Sequence, residues 1–313
     1  MRVPGKIERV LWYTLWGRNP VTLALVGLLP HRRIDRPIFI LGSPRSGTSV
    51  FSRFFGAHRE LANWSEGHFL FDPRYRNQTN EHRWTEKDVT RFGARRLRSN
   101  IDWYCRYISL RQRVNAHRFT NKLPRHTLRV PWLLSIFPDA QFVHIIRDGR
   151  AVVRSMIRVM ERQGKQDRTL ADFARPPGWR EYYKADPYEA HARQWAGIEE
   201  IVQGDLACIS PDRVFRIKYE EFIVQTREIM RRLCRQFDLA CDDKAVSCYP
   251  EHLENRNVKW PTECTPEQIE RMRPWVTPLL IEYGYETRAD WAVPGAASPP
   301  AQAPPPRPAE RLA

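Results

Sequence analysis

Acidic residues are in short supply: 36 Asp and Glu face 51 Lys and Arg, leaving a formal charge of +15 at pH 7. The imbalance favours anionic ligands such as nucleic acid, acidic lipid, sulfated sugar or a phosphorylated cofactor, although a merely solubilising surface would look the same. Cysteine is thin as well. The six residues Cys105, Cys208, Cys234, Cys241, Cys248 and Cys264 form no CxxC pair and have no metal-like spacing with histidine, which argues against a zinc site and for reduced thiols. No run of about 18 uninterrupted apolar residues occurs, which excludes a multi-pass membrane protein. No internal repeat is visible. What is present, 42% hydrophobic and 28% charged residues over 313 positions, suits a globular core in one α/β domain or two smaller ones.

The ends of the chain differ from its middle. Residues 1–36 begin with Arg2, Lys6 and Arg9, then turn apolar from Val10 to Leu29, broken by Gly17-Arg18-Asn19-Pro20. The second half is too short to span a bilayer, Pro20 interrupts any helix, and no small-residue cleavage site follows. Two readings stay open. One is an interfacial segment with Trp12, Tyr13 and Trp16 at headgroup depth; the other is a helix packed on the domain itself. The corresponding location is cytoplasmic with peripheral membrane attachment, with a Golgi membrane as the alternative if the segment acts as an imperfect anchor. At the far end, Val293 to Ala313 has seven prolines in 21 residues. Residues 291–313 read as a Pro-rich disordered tail, which leaves 37–290 as the folded domain.

Between the ends, short apolar runs alternate with helical patterns. Residues 37–41, 141–146 and 213–217 read as buried strands; 48–58, 149–164 and 224–237 read as helices. The alternation predicts an α/β fold, a P-loop-like three-layer domain with a central parallel sheet. Polar, aromatic-rich stretches at 72–120 and 158–200 are expected to form helical insertions over the carboxyl ends of the strands, where such sheets bind ligands.

Gly42-Ser-Pro-Arg-Ser-Gly-Thr-Ser49 follows the first strand and opens a helix. It has the frame of a phosphate loop with Thr48 where the lysine belongs. Loop and helix N–H groups still converge into an anion cradle, Thr48 and Ser49 add hydroxyls, and Arg45 supplies the cation. An NTPase needs the lysine and a carboxylate for Mg²⁺. Here the strand 142–146 runs into Arg147-Asp148, so a kinase is disfavoured. A second anion site is expected where Arg147 ends that strand and Ser155 lies two turns into the next helix, a fork and a hydroxyl suited to a phosphate monoester.

The words SPRSGTS, FPDAQFVHIIRDGRAVVRSM and KYEEF, followed by LLIEYGY at 279–285, resemble the sulfotransferases that use 3′-phosphoadenosine 5′-phosphosulfate (PAPS). The resemblance is greatest to the bacterial and Golgi-type branch with arginine in the phosphosulfate loop. It implies a P-loop-like α/β fold with Arg45, Ser46, Gly47, Thr48 and Ser49 on the 5′-phosphosulfate, Arg45 on the transferring group, and Arg147 and Ser155 on the 3′-phosphate. It further implies that Glu66, in Ser65-Glu-Gly-His-Phe-Leu-Phe-Asp72, takes the acceptor's proton, with His68 as runner-up. Lys122 stands where the family has an active-site lysine, though Leu123 replaces the usual threonine. Lys259-Trp260, near Arg256 and Asn257, is similar to a late word that closes over the cofactor. Tyr219-Glu220 is expected to order the loop after the third strand. No metal is implied.

Eight arginines and one acid, Asp102, fall between Arg91 and Arg118, interleaved with Trp103, Tyr104 and Tyr107. With Trp179, Tyr182, Tyr183 and Tyr188 they are expected to line an acceptor cleft for a hydroxyl-bearing molecule, with sugar, lipid, phenol and protein tyrosine all open. No motif supports nucleic-acid binding. The competing readings are a P-loop kinase that has moved its cation to Arg45, and a non-enzymatic basic protein that binds membrane or nucleic acid.

Overall fold

A computed structural model describes residues 24, 26–30, 34–66, 71, 81–112, 116–162, 173–247, 249–254 and 259–291. Five strands, β1 (Ile38–Leu41), β2 (Leu61–Ser65), β3 (Arg118–Lys122), β4 (Gln141–Ile146) and β5 (Val214–Lys218), form one sheet in the order β2-β3-β1-β4-β5. Every pairing is parallel. The principal helices are α1 (Thr48–Phe55), α2 (Arg91–Gln112), α3 (Val130–Ile136), α4 (Gly149–Arg162), α5 (Pro187–Ala207), α6 (Tyr219–Val224), α7 (Thr226–Gln236) and α8 (Pro266–Glu282).

The central strand shows why the sheet is buried on both faces. Ile38-Phe-Ile-Leu41 is apolar throughout, and a strand points alternate side chains to opposite sides. Phe39 and Leu41 join Phe142 in a core that includes Leu97 and Ile101 of α2 and Leu133 and Ile136 of α3. Ile38 and Ile40 join Val143 and Ile145 in a core with Phe51 and Phe55 of α1 and Ile229, Met230 and Leu233 of α7. A third cluster packs α4, α5 and α8 together around Trp195.

This order matters for the site. From β1 the chain leaves towards β2 and β3; from β4 it leaves towards β5. Neighbours whose connections diverge open a crevice at their carboxyl ends. The loop after β1 and the loop after β4 therefore face one another.

Several sequence expectations are corrected. The stretch 72–120 is not simply an insertion, because it contains the start of β3, which pairs directly with β1. The end of the stretch 158–200 is not a cap either: α5, which begins at Pro187, is a body helix packed on α4 and α8. Several of the arginine and aromatic residues expected to line a cleft are instead buried in the body of the fold. Tyr104 is buried and donates to the Asn63 carbonyl at 2.7 Å, and Arg106 pairs with Asp102 at 2.9 Å and donates to the carbonyls of Val26 and Leu29. Arg118 is buried at the amino end of β3, where it donates to the carbonyls of Arg36 and Phe237, and burial brings its pKa down to about 10. Trp179, Tyr182 and Tyr188 are likewise buried. In one dimension these side chains look interleaved; on a helix the aromatics take the apolar stripe and turn inward. Helix 224–237 is in fact two, broken at Gln225 between α6 and α7. Trp291, which the sequence assigns to the tail, is buried, with its indole N–H 3.0 Å from Thr277 Oγ1.

Most of residues 1–36, all of 292–313, and His68, Arg256 and Asn257 lie outside the described residues. Val26 packs into the core beside α2. No described helix is long and apolar enough to cross a membrane.

Candidate active site

The phosphate loop is shaped by two glycines. Gly42 has φ +149°, and a Cβ there would meet the Ile145 carbonyl oxygen at 2.7 Å, so the loop lies directly against β4. Its N–H donates to Thr127 Oγ1 at 3.0 Å, and that hydroxyl in turn donates to the Gly42 carbonyl. Gly47 has φ +90°, and a Cβ would fall 2.3 Å from the Tyr219 ring. Tyr219 thus orders the phosphate loop, not merely the loop that follows β5.

Arg45 stands at the crest, exposed, with φ +72°. A non-glycine residue in that region costs about 1–3 kcal/mol, which the surrounding contacts must overcome. Arg147, at the carboxyl end of β4, is 7% exposed and donates from Nη1 to the Arg45 carbonyl at 2.6 Å. Its guanidinium lies 4.5 Å from the centre of the Tyr219 ring. Burial lowers its pKa, opposed by Tyr219 and Glu220, but an arginine remains a cation at neutral pH. Arg45 Nε lies 3.2 Å from Ser155 Oγ on α4. Arg45, Arg147 and Ser155, from three separate elements, are thereby joined by hydrogen bonds.

Two further features of the loop would suit a bound anion. Ser46 Oγ is buried and has no hydrogen-bond partner among the described residues. The first turn of α1, starting at Thr48 and Ser49, has N–H groups without an intrahelical partner, and Gly47 before it offers no side-chain cap. Thr48 is buried, with its methyl turned towards Gly42, while Ser49 is exposed.

Glu66 and Lys122 stand on the neighbouring strands at the same end of the sheet. Glu66 directly follows β2 and has φ +59°; its N–H donates to the carbonyl of Lys122, the last residue of β3, at 2.8 Å. The two side chains form an ion pair in which Lys122 is 1% exposed and Glu66 48%. Lys122 is in register with Ile40 of β1, so the pair adjoins the phosphate loop. Lys259 is exposed at the start of the single turn Trp260–Glu263, and Trp260 lies against Arg150, whose centre is 4.4 Å from the ring. No described contact links Lys259 itself to the loop.

Sequence reasoning missed what lies beneath the loop. Ser43 Oγ donates to Glu199 Oε1 at 2.5 Å, and Glu199 Oε2 lies 3.0 Å from both His144 Nε2 and the Tyr283 hydroxyl. Glu199 is fully buried. Burial pushes its pKa up, but the charge and hydrogen bond of His144, with donors from Ser43 and Tyr283, outweigh it and hold the group below the usual carboxylate range.

The sequence model of the sulfotransferase family matches residues 37–243, well over half of the chain. The chain belongs to the sulfotransferase family. A protein-tyrosine sulfotransferase of Drosophila melanogaster is 25% identical over 280 residues, covering 81% of this chain and 52% of its own length. Protein-tyrosine sulfotransferase A of Caenorhabditis elegans is 23% identical over 287 residues, covering 83% and 70%. The chain thus spans about half the length of the fly relative. Among solved structures, sulfotransferase STF9 from Mycobacterium avium superposes with a TM-score of 0.50 at 17% identity, covering 92% of this chain and 83% of that one. That likeness is one of fold, the α/β architecture described above.

Proposed function

We propose that the chain transfers a sulfuryl group from PAPS to an acceptor hydroxyl, with Arg45 stabilising the transferring group and Glu66 taking the acceptor's proton. The observation that carries this reading is the junction of two anion-binding elements: Arg147 donates to the Arg45 carbonyl, and Arg45 Nε reaches Ser155 Oγ. A donor nucleotide with phosphoryl groups at both its 5′ and 3′ ends requires two such sites side by side. The residues fit it. The unpartnered Ser46 hydroxyl, the first-turn N–H groups of α1 and the two cramped glycines suit a tetrahedral anion.

In this reading Ser46, Gly47, Thr48 and Ser49 hold the 5′-phosphosulfate, Arg147 and Ser155 hold the 3′-phosphate, and Lys259 closes from outside. The bond between sulfur and the phosphate oxygen breaks as one forms between sulfur and the acceptor oxygen. The acceptor proton passes to Glu66, and 3′-phosphoadenosine 5′-phosphate (PAP) leaves. Charge spreads over the peripheral oxygens, so fixed donors and cations do most of what the reaction needs. Lys122, buried against Glu66, keeps a positive charge at the acceptor side.

A kinase fits less well. Asp148, the carboxylate nearest the place of a Mg²⁺ ligand, has both oxygens taken by Arg150 at 2.8–3.2 Å. The tyrosine phenol ranks first among acceptors, because the fly and worm relatives carry the name protein-tyrosine sulfotransferase and a phenol of pKa about 10 yields its proton to a carboxylate more readily than an alcohol. Sugar and lipid acceptors lose the support of the aromatic residues that the fold buries.

Glu66→Gln tests the base. Turnover with labelled PAPS and a tyrosine peptide should fall by about 10²–10⁴-fold, the usual contribution of general base catalysis, while PAP affinity stays within a few-fold of the native value. Undiminished turnover with intact PAP binding would remove Glu66 from this role.

A further inference from the structure

The carboxylate of Glu199 takes no part in the chemistry above, yet it is the most completely enclosed acid in the site's surroundings. It sits on α5 between Ile198 and Val202, both of which are buried by ordinary packing. An ionised carboxylate in such a place is costly unless its oxygens are occupied, and an apolar side chain would fill the volume without that cost. What only an acceptor can do here is hold donors. Glu199 holds three, and each arrives from a different element: Ser43 from the loop after β1, His144 from β4, and Tyr283 from just beyond α8.

We propose that Glu199 is a positioning residue, whose carboxylate fixes Ser43, and with it the loop Gly42–Gly47, against β4 in the geometry that receives the phosphosulfate. The inference rests on the PAPS reading for the identity of the ligand. Ser43 lies two residues before Arg45, and His144 lies three before Arg147. One carboxylate therefore sets the spacing of the two strand ends that carry the two arginines. Within the loop, the Ser46 N–H donates to the Ser43 carbonyl at 3.0 Å, so fixing Ser43 also fixes the turn that raises Arg45 to the crest. Tyr283 extends the anchor to the C-terminal helix.

The test uses Ser43→Ala, Tyr283→Phe and Glu199→Gln in the full chain. Amide hydrogen exchange of the 42–47 segment is read without ligand, and PAP affinity by calorimetry. Ser43→Ala should speed exchange in the segment and raise the PAP Kd by about 5- to 10-fold, as expected for a lost hydrogen bond to a charged group. Tyr283→Phe, remote from the ligand, should shift both in the same direction by less. If Glu199→Gln folds, adding Ser43→Ala to it should change little more, because the two act through one contact. Native exchange in the segment after Ser43→Ala would overturn the inference, and so would additive effects in the double variant. Faster exchange in a protein whose native form does not bind PAP supports the positioning role and overturns the PAPS reading instead.

Discussion

Arg45→Ala should lower turnover by about 10³-fold, the size of effect seen when one preorganised donor to a developing oxyanion is removed. The loss should fall on kcat, with PAP binding reduced by less than about tenfold, because the loop amides and Ser46 continue to hold the ground-state anion. The backbone at Arg45 points the same way as its side chain. Arg45 and Glu66, the two residues assigned to the chemistry, are both held at positive φ. Glycine would adopt that conformation with less strain, so the side chains there have a use that offsets it. Arg45→Lys should recover only part of the rate, since an ammonium keeps the charge but not the planar fork. Steady-state kinetics with labelled PAPS reads the outcome. A kcat within threefold of native for Arg45→Ala would show that the guanidinium does not meet the transferring group.

Arg147→Ala should have the largest effect on binding, raising the PAP Kd by about 100-fold. Charge-assisted hydrogen bonds contribute roughly 1.5–3 kcal/mol each, and a tenfold change in Kd corresponds to about 1.4 kcal/mol. The substitution removes a cation from the 3′-phosphate side, the bond to the Arg45 carbonyl and the stacking on Tyr219 together. Arg216→Ala, an exposed position on β5, removes the same formal charge away from the site and should leave the Kd within twofold. Equal weakening by both substitutions would mean that only the general positive field matters.

How much of this was legible in the sequence depends on how local each signal is. The phosphate loop was readable because a strand, a glycine-framed turn and a helix lie within some twenty consecutive residues. β4 and α4 were readable from an apolar run and a helical stripe. β3 was not, because Arg118-Phe-Thr-Asn-Lys122 is mostly polar yet wholly buried. Several of its polar groups meet tertiary partners: Arg118 the carbonyls of Arg36 and Phe237, the Asn121 amide N–H the Trp64 carbonyl, Lys122 Glu66. The Glu199 anchor was invisible for the same reason. Its partners stand 156, 55 and 84 positions away in the chain, and nothing in the local pattern of α5 separates it from the adjacent Glu200. The arginine and aromatic stretch failed in the opposite sense. It looked like a ligand surface in linear order, but α2 directs its aromatics into the core, and Arg98 and Arg106 of that helix, with Arg118 of β3, satisfy backbone carbonyls.

The central claim is that two adjoining anion sites receive a nucleotide phosphorylated at both ends. Calorimetric titration of the native chain with PAP and with ADP, both without added metal, tests it most directly. The account predicts micromolar binding of PAP and binding of ADP weaker by about 100-fold, the difference expected for the 3′-phosphate on Arg147 and Ser155. Binding of ADP as tight as PAP, or of neither, would contradict it.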